Sequence, residues 1–259
     1  QDLHYETLNS SRRTDKMTVC VIGLGYIGLP TAAMFASRGI HVTGVDTNER
    51  VVEALNKGSI HVSEAGLNEL VASARASGNL EIASSLEQAD AFIIAVPTPI
   101  GEAKRADLRF VVAATEAIVP WLRRGNLVVL ESTSPPRTTA ELVAPILQRS
   151  GLRAGTDFHL CYSPERVLPG QILRELIENT RVIGGIDRES AEIARDLYAI
   201  FVRGDILLTD ATTAEMIKLM ENSFRDVNID IANEFARLAD QLGVNVWEAI
   251  ELANRHPRV

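Results

Sequence analysis

The chain has 259 residues and a net charge of −8 at pH 7, with 46% hydrophobic and 23% charged residues. That length holds one large α/β domain, or one domain plus the beginning of another, around a buried core. The acidic balance argues against nucleic acid as a partner, since phosphate backbones need a basic face, and no run approaches the roughly 18 apolar residues of a membrane span.

Residues 1–16, QDLHYETLNSSRRTDK, lack the apolar stretch of a secretory signal and read as an unstructured extension or a leftover of cloning. From Met17 onward, short β-rich runs alternate with helix-periodic ones. Strands are expected at 18–23, 41–46, 80–83, 91–96, 126–131, 158–162, 181–186 and 205–209. Between them lie helical stretches such as GLPTAAMFASRG, NERVVEALNKG, LRFVVAATEAIVPWLRRG and RESAEIARDLYAIFV. This alternation predicts a doubly wound, Rossmann-like parallel sheet with helices on both faces, over residues 17–211. Glycines 39, 58, 125 and 151 stand where helix ends need a left-handed residue. Residues 212–242 then run helical without Pro or Gly, roughly 46 Å at 1.5 Å per residue, and a further helix starts after Gly243. A helix that long connects domains or forms an oligomer interface, so 212–259 reads as the start of an all-helical dimerisation region.

The two cysteines, Cys20 and Cys161, sit in apolar strand-like runs and read as reduced, buried small hydrophobes, which suits the cytoplasm. No metal site is expected.

Gly23, Gly25 and Gly28 have G-x-G-x-x-G spacing between a strand and a helix, and Asp46 closes the next strand 18 residues beyond Gly28. The first glycine makes a tight turn, the second lets backbone approach a pyrophosphate, and the third lets the helix pack on the sheet. An acid at Asp46 accepts from a ribose 2′-hydroxyl and repels a 2′-phosphate, which favours NAD over NADP. Two more strand ends, AVPTP with Thr98 and VLESTSPP with Ser132 and Thr133, belong to the same ligand edge, although either threonine alone reads equally as a turn residue. The loop YSPERVLPG carries Glu165 and Arg166 between prolines, either a catalytic or binding pair or a surface ion pair. On the long helix, Lys218, Asn222 and Arg225 fall on one face. Such a stripe is an ordinary solvent face, or a Lys and Asn pair that holds an alcohol oxygen and takes its proton during hydride transfer. At the end of the sequence, Arg255, His256 and Arg258 form a cationic cluster.

Together, GLGYIGLP, AVPTP, EST, PERVLPG, TAEMIKLMENSFRDVNI and ANRHPRV resemble the nucleotide-sugar 6-dehydrogenases of the UDP-glucose/GDP-mannose dehydrogenase family, in order from about Met17 to Val259. The PERVLPG and NSFRDVN forms look more like the branch acting on UDP-N-acetylmannosamine than the one acting on UDP-glucose. The resemblance implies oxidation of a sugar C6 alcohol to a carboxylate in two NAD-dependent steps, through an enzyme-bound aldehyde and a cysteine thiohemiacetal, in a cytoplasmic enzyme of polysaccharide biosynthesis. It implies Lys218 as general acid/base with Asn222 beside it, and Glu165 and Thr133 around the reacting carbon. It implies Arg166, Val167, Lys218, Asn222, Arg225, His256 and Arg258 as contacts to a UDP-N-acetyl-hexosamine. Tyr26, Ile27, Asp46, Thr98 and Thr133, with the three glycines, would line the NAD site, and the helix at 212–242 would form the core of a homodimer. The family's catalytic cysteine lies in a GGHC segment after HPRV and is followed by a UDP-binding domain. This chain is expected to lack both, and so to bind NAD without completing turnover. Two other readings fit less of the sequence: a 3-hydroxyacid-type dehydrogenase using Lys218 and Asn222, and a non-catalytic NAD-binding dimer module.

Overall fold

The centre of the sheet is built from short apolar runs. TVCVI, AFII and LVVL are buried almost end to end, as strands covered on both faces must be. A computed structural model describes residues 17–101 and 104–256. Residues 1–16 and Arg258 therefore lie outside the described residues.

In chain order the first half comprises β1 (Thr18–Ile22), α1 (Gly28–Ala36), β2 (His41–Val45), α2 (Glu49–Asn56), α3 (Leu67–Ala76), β3 (Leu80–Ala83), β4 (Ala91–Ile94), α4 (Arg109–Ile118) and β5 (Leu127–Leu130). A π-helical turn (Thr138–Val143) runs into the short α5 (Ala144–Leu147), followed by β6 (His159–Tyr162), α6 (Ile172–Glu178), β7 (Arg181–Gly185), α7 (Arg188–Tyr198) and β8 (Ile206–Asp210). Two further helices close the order, α8 (Ala211–Leu242) and α9 (Val246–Ala253). The eight expected strands all form, in one sheet of order β3-β2-β1-β4-β5-β6-β7-β8. The order reverses at β1 and β4, the switch point at which open α/β sheets bind ligands beyond their carboxyl ends.

One expectation is corrected. The sheet is not parallel throughout: β7 pairs antiparallel with β6, Tyr162 opposite Gly184, and β8 runs parallel to β7. The link at 163–180 is tied to itself where it leaves the sheet. Arg166 Nη1 donates to the Thr180 carbonyl at 2.9 Å and Asn179 Nδ2 to the Arg166 carbonyl at 3.3 Å. The chain therefore re-enters from the edge it left, in the reverse direction, and delivers the first residue of β7, Arg181, to the carboxyl edge of β6.

Local signals account for most boundaries. Glycines 39, 58, 125 and 151 all adopt positive φ. Helix α4 ends at Ile118, sooner than its apolar run, because Pro120 has no N–H to continue the ladder, and a 3-10 turn takes over. Helix α3, which the sequence reading did not single out, buries Leu67, Val71 and Ala74 at i, i+4 and i+7. Helix α1 is buried along its whole length, and its Phe35 packs on Phe201 at 4.8 Å and Tyr198 at 5.7 Å between ring centroids.

The described residues divide into two compact units, one up to Met216 and one from Ile217 onward. In the second, α8 carries an exposed apolar stripe of Met220, Phe224, Val227, Ile231, Phe235, Leu238 and Leu242, each between 47% and 74% exposed. Asn245 caps α9 by accepting the Trp247 amide at 3.1 Å. Among the described residues, no helix is long and apolar enough to cross a membrane.

Candidate functional site

The turn from β1 into α1 is made by backbone, and its three glycines differ in what surrounds them. Gly23 takes φ +94°, and a Cβ there would fall 2.6 Å from the Ala95 carbonyl oxygen. A Cβ on Gly28 would fall 1.8 Å from the Gly23 carbonyl oxygen, so this glycine lets α1 close on the turn. Nothing of the protein lies within 4 Å of a Cβ built on Gly25, which is exposed together with Tyr26. The cradle is thus shut where it meets the sheet and open where a ligand would lie. No side chain caps α1, and its first turn carries no acid, so its positive end is left for an anion. The Asp46 carboxylate accepts the Leu24 amide at 2.9 Å and the Asn48 amide at 2.8 Å, which holds it against the glycine turn with further acceptor capacity for a ribose diol. Gly23, Gly25, Tyr26, Ile27, Gly28 and Asp46 are therefore brought to one strand edge, and they fit a dinucleotide.

The next strand ends meet this turn. After β4, Thr98 is half-buried in the loop that follows Ala95 and Val96. After β5, Ser132 donates to the Val96 carbonyl at 2.8 Å and stitches the two loops together, while Ser134 donates to the Ser132 carbonyl at 2.9 Å. Thr133 lies half-buried between them. Farther on, Glu215 from the first turns of α8 is fully buried and accepts the Thr139 amide at 2.7 Å and the Arg137 amide at 2.5 Å, capping the π-helical turn. Burial pushes its carboxyl up from the usual range.

Glu165 is a buried group rather than a loop-surface one. Its Oε2 accepts from Arg181 Nη2 at 2.5 Å, and its Oε1 accepts the Arg166 amide at 2.7 Å. Arg181 Nη1 also donates to Ser163 Oγ at 2.8 Å and Glu131 Oε1 at 3.2 Å, and the guanidinium lies 4.1 Å over the Tyr198 ring. The Tyr198 hydroxyl completes the cluster by donating to Glu131 Oε1 at 2.6 Å. Burial pushes the Glu131 carboxyl up to about 7 against the pull of Arg181, with the Glu165 charge adding to the rise. Glu131, Arg181 and Tyr198 were not singled out by sequence. An all-parallel sheet puts Arg181 at the wrong edge, and only the reversed β7 brings it here.

The remainder of the PERVLPG loop, with Arg166 and Val167 half-buried, is fixed by carboxylates from elsewhere. Glu64 accepts the Gly170 and Ile172 amides, each at 2.8 Å, across more than a hundred residues of sequence, and Glu175 accepts the Leu168 amide at 2.7 Å. In the second unit, Lys218, Asn222 and Arg225 share a face of α8, and Arg225 Nη2 donates to Asn222 Oδ1 at 2.7 Å. His256 lies just past the α9 C-cap, Asn254, its amide donating to the Ala253 carbonyl at 2.9 Å.

Comparison with known proteins accounts for both units. A model of the UDP-glucose/GDP-mannose dehydrogenase family, NAD binding domain, matches residues 17–202, and the model of that family's central domain matches residues 212–259. The UDP-N-acetyl-D-mannosamine dehydrogenase of Methanococcus maripaludis (strain C7) is 52% identical over 249 residues, which cover 95% of this chain and 56% of that protein. An NDP-N-acetyl-D-galactosaminuronic acid dehydrogenase of Ralstonia solanacearum is also 52% identical, over 95% of this chain and 60% of its own length. The solved structure of a UDP-D-ManNAc dehydrogenase from Pyrococcus horikoshii superposes with a TM-score of 0.90 at 49% identity, over 94% of this chain and 59% of that one. The chain thus spans somewhat more than half the length of the relatives it matches. With a glycine cradle shaped for a dinucleotide and both models matched in order, the chain belongs to the UDP-glucose/GDP-mannose dehydrogenase family and carries its NAD-binding domain.

Proposed function

We propose that the chain forms the NAD-binding and central parts of a cytoplasmic UDP-N-acetyl-D-mannosamine 6-dehydrogenase, which oxidises the sugar C6 hydroxyl to the uronate in two steps. The reading is carried by the glycine cradle, closed at Gly23 and Gly28 and open at Gly25, in a chain that matches this family. The N-acetyl-hexosamine class is supported by relatives at 52% identity whose names specify N-acetylmannosamine and N-acetylgalactosaminuronic acid.

In this reading residues 17–211 hold the cofactor and 212–259 begin the central domain. The amides of residues 25–28 and the α1 N-terminus bind the pyrophosphate, and Asp46 binds the adenosine ribose. Tyr26, Ile27, Thr98 and Thr133 line the rest of the cofactor cleft. NAD, when bound, supplies the hydride acceptor for both oxidations. Lys218 takes the proton of the C6 hydroxyl and Asn222 orients its oxygen, while Glu165 and Thr133 stand around the reacting carbon. Arg166, Val167, Arg225, His256 and Arg258 contact the UDP-sugar, the cations countering its diphosphate. The apolar stripe on α8 joins two copies into a homodimer.

Neither cysteine of these residues suits the thiohemiacetal of the second step. Cys20 and Cys161 are fully buried in β1 and β6, burial pushes the Cys20 thiol up to about 12 and raises Cys161 as well, and Cys161 donates to the Ser190 carbonyl at 3.0 Å. The test is stoichiometry at 340 nm, in a protein carrying these residues at the relatives' full length. Two NADH per UDP-ManNAc are expected, with slower turnover of UDP-GlcNAc and UDP-glucose, and a ratio of one NADH sinks the reading.

A further inference from the structure

The carboxyl edge holds an ionic cluster that the dinucleotide cradle does not need. Arg181 is 5% exposed and stands between two buried carboxylates, Glu131 at 3% and Glu165 at 9%. A buried ion pair contributes little net stability, because desolvating the charges offsets their attraction, and well-packed apolar residues often do as well. What a guanidinium fork adds is geometry: it fixes a carboxylate in position and orientation in a way that a lysine's point charge does not.

The contacts run in series. The Tyr198 hydroxyl and Arg181 Nη1 both reach Glu131 Oε1, Ser163 Oγ holds the same Nη1, and Nη2 is left for Glu165. Glu165 in turn accepts the amide of Arg166, so the carboxylate and the start of the PERVLPG loop are set together. Four elements converge here: the β5 end supplies Glu131, the loop after β6 supplies Ser163 and Glu165, β7 supplies Arg181, and α7 supplies Tyr198. Continuing the β6/β7 register past Tyr162 and Gly184 brings Arg181 opposite Glu165, so the reversal of β7 is what creates the pair.

We propose that Arg181 is a positioning residue for the dehydrogenation, its fork holding the Glu165 carboxylate at the ligand edge while Glu131 and Tyr198 hold the fork. The inference rests on the role proposed above for Glu165, and its test separates the two.

In the 259-residue chain, the Arg166 amide reports where the Glu165 carboxylate lies, and its hydrogen exchange is measured beside the sheet amides of Ile93 and Val129. Arg181→Lys, which keeps the charge and loses the fork, is expected to speed Arg166 exchange about 10-fold while the two sheet amides stay within about 2-fold. Tyr198→Phe keeps every charge and removes one hydroxyl, and is expected to speed Arg166 exchange about 3-fold. It decides the question if Arg181→Lys does not fold. In the turning-over enzyme, Arg181→Lys is expected to lower kcat about 10-fold with KM for NAD unchanged. Unaltered Arg166 exchange in the folded variants overturns the proposal, as does a rise shared equally with Ile93 and Val129, which marks a merely structural residue. Wild-type protein at the relatives' full length that forms no NADH from any UDP-sugar defeats the proposed function, while the exchange result still decides whether Arg181 holds Glu165.

Discussion

The glycine cradle and the Arg181 cluster lie at the same sheet edge and are made in opposite ways. The cradle is backbone: six consecutive residues, no side-chain cap, and an open face at Gly25. The cluster is side chains from residues 131, 163, 165, 181 and 198, buried and bonded to one another. An anion site needs only aligned amides, which local sequence can encode. A fixed carboxylate needs a countercharge that is itself held in place, and the groups that hold it come from distant parts of the chain, which only the fold can assemble.

The comparison breaks most severely at Gly28. Gly28→Ala puts a methyl against the Gly23 carbonyl oxygen, and is expected to destabilise the protein by about 3 kcal/mol and abolish NAD binding, read by thermal unfolding and calorimetry. Gly25→Ala meets no protein atom, so stability should stay within about 0.5 kcal/mol while NAD affinity falls at least about 10-fold. Equal losses of stability in both variants would contradict the open-faced cradle.

The cluster should instead reveal itself through pH. The Glu131 carboxyl sits at about 7 in the folded chain against an ordinary 4.5, so between those values the folded state binds the extra proton. Its contribution therefore favours the native state at low pH and is lost as pH rises from about 4.5 to about 7. Glu131→Gln should remove that part of the slope, and denaturant unfolding at pH 5 and pH 8 checks it. An unchanged difference between the two pH values would rule the group out as its source.

Next in size is Asp46→Asn. On the role proposed for Asp46, losing the charge and one of the two acceptor oxygens should weaken NAD about 10-fold and narrow the preference for NAD over NADP, measured by binding of each cofactor. The smallest effect belongs to Glu64→Gln, which keeps one acceptor for the Gly170 and Ile172 amides but loses the charge and turns a donor toward the other amide. About 1 kcal/mol of stability and faster exchange at those two amides are expected.

Much of this was legible in the chain itself. All eight strands follow from apolar β-branched runs, and α8 from 31 residues without Pro or Gly. The spacing of Gly23, Gly25, Gly28 and Asp46 located the cradle because its parts are local. Strand direction was not legible. The β6 to β7 link contains a helix and looks like any crossover until Arg166 and Thr180 are found bonded across its base. For the same reason Glu131 and Arg181 read only as the end and the start of two strands and Tyr198 as one residue of a helical stretch, since nothing short of the reversed β7 brings them together. Glu64 escaped notice because its partners lie more than a hundred residues away.

The stripe on α8 has a period of its own. Met220, Phe224, Val227 and Ile231 are spaced 4-3-4, and the steps from Ile231 through Phe235 and Leu238 to Leu242 repeat it, giving eleven residues in three turns. At about 3.67 residues per turn this slightly exceeds the natural 3.6, so the stripe drifts in the sense opposite to that of a seven-residue repeat. Two such helices laid stripe to stripe would wrap with a shallow right-handed twist instead of the left-handed coil of a leucine zipper, and would stay in register along about six turns while each remains nearly straight.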